Sequence, residues 1–182
     1  MSVAAMVDGA PVSVQEVDAR EALLRASRSA SSLPRPGTSE GRQLRRWLTQ
    51  LLVTERVVAA EVAARGLSAR GAPSEDDLLP DTAVRLEIGS VAASVLADPL
   101  ARALFVSVTE AVGVTGDTVA AYQARNPSRF ADIAAVAEHL RAAARRRAFR
   151  LWLDARCAAL VELAPGYEHP GDPRQPDNTH RH

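Results

Sequence analysis

The chain has 182 residues, 47% of them apolar but only 4% aromatic, so its core must be built from Ala, Val and Leu. Its 22 basic residues, all arginine, balance 22 acidic ones, and a net charge of zero gives no field that would recruit nucleic acid or an anionic membrane. The single cysteine, Cys157, excludes an internal disulfide, and no stretch approaches the ~20 apolar residues needed to span a bilayer.

In chain order, Val3–Val7 reads as a short strand closed by Asp8-Gly9, a pair that tolerates positive φ. The segment Met1–Val7 lacks a basic stretch followed by a long apolar run, which predicts a cytoplasmic protein. Ser13-Val14-Gln15-Glu16 is a capping box, so a helix follows, carrying Val14, Val17, Leu23 and Leu24. The Ser-, Pro- and Gly-rich stretch 29–40 predicts a loop. A second helix over about 42–65 carries Leu44, Trp47, Leu48, Leu51, Leu52, Val58 and Val62 at helical spacing, with Gly66 as its stop. Ser74 caps a short turn through Asp77, and Pro80 opens a third helix holding Val84, Leu86, Ile88, Val91, Val95 and Leu96. Asp98-Pro99 breaks that helix and starts a segment through Leu104, Phe105 and Val108. Thr115 to Thr118 begins a helix that ends at Asn126-Pro127. The longest helix is predicted over about 132–157, and it feeds a strand over Ala158–Leu163. The predicted fold is mainly α, a single helical domain over 1–164 in which a small β element pairs the N- and C-terminal strands, with a Pro/His-rich tail over 165–182.

Three segments carry a resemblance. Val7-Asp8-Gly9-Ala10-Pro11-Val12-Ser13 is a strand, turn and helix start. Val114 through Phe130 holds a short helix with Tyr122 and an Asn126-Pro127…Phe130 corner, and Phe149 through Leu163 is a closing helix and strand. Together they resemble the N-terminal chaperone module of the SurA/foldase group of parvulin-type prolyl isomerases. In that group a parvulin domain lies between the second and third segments. Here Phe130–Phe149 leaves no room for one, so the resemblance implies a helical cradle for extended apolar polypeptide and no prolyl isomerase activity.

The tail, Pro165 to His182, holds three of the four histidines. Pro170, Pro173 and Pro176 recur every third residue, which predicts a stiff polyproline II segment with the prolines on one face. His169, Asp172, Asp177, His180 and His182 offer imidazole and carboxylate groups of the kind that hold Zn²⁺ or Fe²⁺, although no cofactor is predicted outright. The alternatives are a plain polar tail, and a tail that packs back over the body and lines a pocket.

Cys157, His169 and His180 are the candidates for catalysis. Against Cys157 stands its place at a helix C-terminus, where the dipole disfavours thiolate, and the usual burial of lone cysteines. Arg141, Arg145, Arg146, Arg147 and Arg150 offer a docking patch for an acidic partner such as an acyl carrier protein, or else a solvated helix face. His139 beside Glu138 reads as an ordinary helix residue. The sequence holds no glycine-rich phosphate loop, no Gly-x-Ser-x-Gly elbow and no His-Glu-x-x-His.

The expected function is a chaperone-like binding module holding an extended apolar peptide or acyl chain in a helical groove, with Trp47, Phe105, Tyr122 and Trp152 as ligand-contacting aromatics. The alternative is a small accessory biosynthetic enzyme acting on an apolar, carrier-bound substrate through Cys157 or the tail histidines. No nucleic acid or membrane partner is expected, and a homodimer is left open.

Overall fold

The structure, a computed structural model, describes residues 1–178. It is mainly helical, with a three-stranded antiparallel sheet in the order β2-β1-β3 that unites the two ends of the chain. Strand β1 (Val3–Val7) turns at Asp8-Gly9 into β2 (Ala10–Ser13). Both turn residues have positive φ, 48° and 77°, as a type I′ hairpin requires. On its other edge β1 pairs with β3 (Val161–Leu163), in the register Ala5 to Leu163, Met6 to Glu162 and Val7 to Val161. The Asp8 amide donates to the Leu160 carbonyl at 2.8 Å and the Ala164 amide to Ala4 at 3.0 Å, so the closure continues past both strand ends.

The chain divides into two compact units. The first comprises residues 1–60 and the segment from Arg156 onward. In it the capping box forms as expected: Ser13 Oγ accepts from the Glu16 amide, and the Glu16 carboxylate accepts from the Ser13 amide. That box starts α1 (Val14–Arg25). After the loop comes α2 (Ser39–Arg65), whose first turn is capped by Thr38 Oγ1 accepting from the Gly41 amide. The core of this unit is Ala5, Val7, Val12, Val53 and Val57, against which Leu52, Cys157, Leu160, Val161 and Leu163 pack. A second cluster joins Ala4, Val17 and Leu48. Charged pairs tie α1 to α2: Arg20 grips both Glu55 oxygens at 3.0 and 2.6 Å, Arg45 reaches Asp18 and Glu21, and Arg56 bonds Glu16.

The second unit, Glu61–Ala155, is built of short helices: α3 (Glu75–Leu78), α4 (Thr82–Ile88), α5 (Ser90–Val95), α6 (Pro99–Thr109) and α7 (Gly116–Arg125). The final helix, α8 (Ile133–Leu160), begins here. Ser74, Asp81, Asp98 and Thr115 each cap a helix start through a side-chain oxygen. Phe105 and Phe149 are buried here with ring centroids 5.1 Å apart, and Phe149 stacks on Trp152 at 6.1 Å.

Several boundaries differ from those the sequence predicts. The single helix expected over Val84–Leu96 is two, broken at Gly89, whose φ of 95° and ψ of 149° are open almost only to glycine. Asp81 is the cap of α4, and Pro80 precedes it instead of opening the helix. Helix α8 runs on through Ala158, Ala159 and Leu160, which leaves only Val161–Leu163 for the last strand; alanine and leucine are strong helix formers, and the pairing with β1 begins only at Val161.

The tail is not polyproline II, a form without internal hydrogen bonds. Its amides at Tyr167, Asp172, Gln175 and Asn178 bond the carbonyls three residues earlier, at Ala164, His169, Asp172 and Gln175. In each turn the second residue is a proline: Pro165, Pro170, Pro173 and Pro176. Proline's fixed φ suits that position, and no amide is needed there. The three-residue proline spacing therefore encodes a chain of reverse turns.

Candidate functional site

The described tail folds back onto α2. Arg46 lies two turns into that helix with its side chain only 2% exposed. A guanidinium taken out of water is costly unless it is paired, and here the partner comes from 131 residues further along the chain. Arg46 Nη1 donates to Asp177 Oδ2 at 2.7 Å, and the Asp177 side chain is 6% exposed. Arg42, one turn earlier, donates through Nε to both Asp177 oxygens at 2.9 and 3.0 Å. The hydrogen bond from Arg42, followed by that from Arg46, pulls the Asp177 carboxyl down to about 2.

The rest of the tail is fitted around this centre. Glu168 accepts a longer bond, 3.4 Å, from Arg46 Nε. Gln43 Nε2 donates to the Asp177 carbonyl at 3.3 Å. Gln175 is buried; its Oε1 accepts from the Asp177 amide at 2.8 Å, and its Nε2 donates to Pro170. Tyr167 packs against the Ala4–Val17–Leu48 cluster, as do Leu24, Leu44 and Trp47, and its hydroxyl accepts from Arg45 at 3.4 Å. What results is an irregular polypeptide segment seated on a helix by one aromatic ring, two carboxylates and backbone contacts. Arg42, Gln43 and Arg46 fall on one side of α2 because three- and four-residue steps return to the same face.

The residues singled out in the sequence are dispersed. Cys157 is half-buried in the core cluster of the first unit, its Sγ 3.8 Å from Thr54 Oγ1. His169 is exposed, and its Nδ1 accepts from the Gly171 amide at 2.9 Å. Asp172 is gripped by Arg174. His180 and His182 lie outside the described residues. Among the described residues no group of three or more His, Cys, Asp or Glu side chains is placed to hold a metal ion. No helix among them is long and apolar enough to cross a membrane.

Of the four aromatic candidates, Trp47 belongs to the first unit and the others to the second. Phe105 is buried against Phe149, on which Trp152 also stacks. Tyr122 instead joins Phe130 and His139, at ring distances of 6.2 and 5.8 Å.

The five arginines of α8 do not form one surface. Arg146 is buried and reaches the Leu78 carbonyl at 3.4 Å. Arg150 donates to the Ile88 carbonyl at 2.7 Å, and Arg145 to Thr109 Oγ1 at 3.0 Å. Leu78, Ile88 and Thr109 are the last residues of α3, α4 and α6, so these cations lie where helix C-termini concentrate negative dipole. Arg141 and Arg147 are exposed, the former paired with Glu138.

His139 is held below its ordinary value near 6.5 by burial, then by the charges of Arg129 and Arg146, with Glu87 opposing. An unfolded chain thus takes up this proton first. The contribution to stability is complete above about 6.5 and is lost as pH falls from there toward the folded-state value. Denaturant titrations at pH 7.5 and 5.5 are expected to show a smaller loss for His139→Gln than for the native chain. Equal losses would mean that His139 does not carry the effect.

Arg42 and Arg46 gave no local sequence signal, and Asp177 read only as one of the tail's candidate metal ligands. Arg42, Arg46 and Asp177 became a site only through a contact between distant parts of the chain. Comparison with known proteins adds one match: residues 3–40 fit a family of unknown function, DUF7158. This span covers β1, β2, α1 and the loop after it. No curated protein and no solved structure matches the chain.

Proposed function

We propose that this protein is a chaperone-like binding module that holds a partly apolar polypeptide segment against its helices, without prolyl isomerase activity. The observation that carries this reading is the seating of the chain's own tail. A non-helical, proline-punctuated segment lies on α2, anchored by Tyr167 against the apolar cluster and by carboxylates on arginine. A helical surface that accommodates one such segment has the chemistry to accommodate another. Apolar contact would supply affinity at roughly 25 cal/mol per Å² buried. The packing of Cys157 into the core and the backbone bond to His169 Nδ1 support binding over catalysis.

The test is light scattering from a chemically unfolded client protein diluted into increasing amounts of the full-length chain. Aggregation is expected to fall with chain concentration, and equally for Cys157→Ala. No protection at any excess would overturn the reading, and loss of protection in Cys157→Ala would point to thiol chemistry instead.

A further inference from the structure

We propose that the segment Gly166–Asn178 is a displaceable internal occupant of a carboxylate-recognising peptide site on α2, with Asp177 as its latch. This deepens the binding reading and rests on it. Arg46 is nearly inaccessible and Arg42 converges on the same carboxylate, so the site demands an anion and takes it from a peptide side chain. The tail adds no strand to the sheet and no turn to a helix of the body. Its hold on α2 includes side-chain ion pairs, an amide bond from Gln43, the packing of Tyr167 and a bond from Arg45 to the Tyr167 hydroxyl, all side-chain contacts that can be exchanged without unravelling either element.

The hinge for such an exchange is present. Pro165 and Gly166 lie one residue beyond β3, both exposed, and Gly166 has a φ of 91°. The proline-led turns pre-form the segment, which lowers the ordering cost for the tail and for any ligand shaped like it. The ligand class that follows is an acidic peptide: a carboxylate side chain about ten residues after an aromatic anchor, with turn-forming prolines between, as Tyr167 and Asp177 are spaced here. In its resting state the native tail competes with such a ligand at an effective concentration on the order of millimolar.

The experiment compares full-length native chain with full-length Asp177→Asn, using a fluorescent synthetic peptide of the sequence 166–178 as probe. Three readouts are taken: tryptic cleavage after Arg174, peptide binding by anisotropy, and the client assay above. In Asp177→Asn, cleavage is expected to be at least ~10-fold faster and peptide affinity at least ~10-fold tighter than in the native chain, because the internal competitor is weakened. The client should be protected at a lower chain-to-client ratio. A probe peptide with Asn in place of its own Asp177 is expected to bind neither chain.

Unchanged cleavage, or a peptide that binds both chains alike or neither, overturns the latch. If circular dichroism shows Asp177→Asn to be misfolded, Tyr167→Ala, which loosens the tail and leaves Arg42 and Arg46 in place, is measured on the same readouts with the same expectations. Peptide binding that follows the latch without client protection in either chain would keep the site and remove the chaperone reading. Client protection with an unaltered tail would do the reverse.

Discussion

Replacing Arg46 with alanine is expected to destabilise the first unit by about 3–5 kcal/mol, the usual cost of breaking a buried ion pair, and toward the lower end of that range because Arg42 still holds Asp177. Asp177 would remain 6% exposed beside a cavity, and Glu168 would lose the same partner. At about 2–4 °C per kcal/mol for a chain of this size, the melting temperature should fall by roughly 10 °C. Two features separate this from simple loss of packing. Lysine at position 46 restores the charge without the planar fork and should recover only part of the loss. The penalty should also depend on pH. The Asp177 carboxyl is lowered from 3.8 to about 2, so its contribution is complete above about pH 4 and is lost as pH falls through 2. Native and Arg46→Ala chains should therefore converge in stability in strong acid. A constant difference from pH 7 to pH 2 would show that Arg46 acts through its methylene stem alone.

Phe149→Ala should be of similar size in the second unit, again about 3–5 kcal/mol. Phe149 is fully buried, and its ring meets Phe105 at 5.1 Å and Trp152 at 6.1 Å. Phe105 and Phe149 supply much of the side-chain volume in a unit otherwise cored by Leu, Val, Ile and Ala. The rigid rings of Phe105 and Trp152 cannot collapse to fill the gap, so the cavity term should be near its upper range. Far-UV circular dichroism in urea gives the measurement. Leucine at 149 should cost less than half as much as alanine. A loss below about 1 kcal/mol for alanine would mean that the aromatic contacts are not the organising core of this unit.

What could be read from the sequence was what is local. Ser13 and Glu16, Ser74 and Asp77, Asp98-Pro99 and Thr115 each announce a helix start within a few residues, and each start is where they place it. The pairing of the chain ends followed from two short β-prone segments with an Asp-Gly turn after the first. Gly89 escaped notice because Val84, Ile88, Val91 and Val95 keep helical spacing straight across it, and a positive φ has no signature beyond glycine itself. The tail was misread because prolines three apart fit two structures, and only the hydrogen bonds distinguish turns from polyproline II. Arg46 could not be found at all from its neighbours: a buried arginine differs from an exposed one only by its partner, and Asp177 is far away in sequence. The α8 arginines misled for the same reason, since Arg146 and Arg150 answer to carbonyls at Leu78 and Ile88.

Everything proposed for this chain depends on its final described segment being bound to α2 as a peptide would be. Native-state hydrogen exchange on the full-length protein at neutral pH measures this amide by amide. Tyr167, Gln175 and Asp177 should exchange many-fold more slowly than in the isolated 166–178 peptide, and should lose that protection together in Asp177→Asn. Exchange of those amides at free-peptide rates in the native chain would contradict the account.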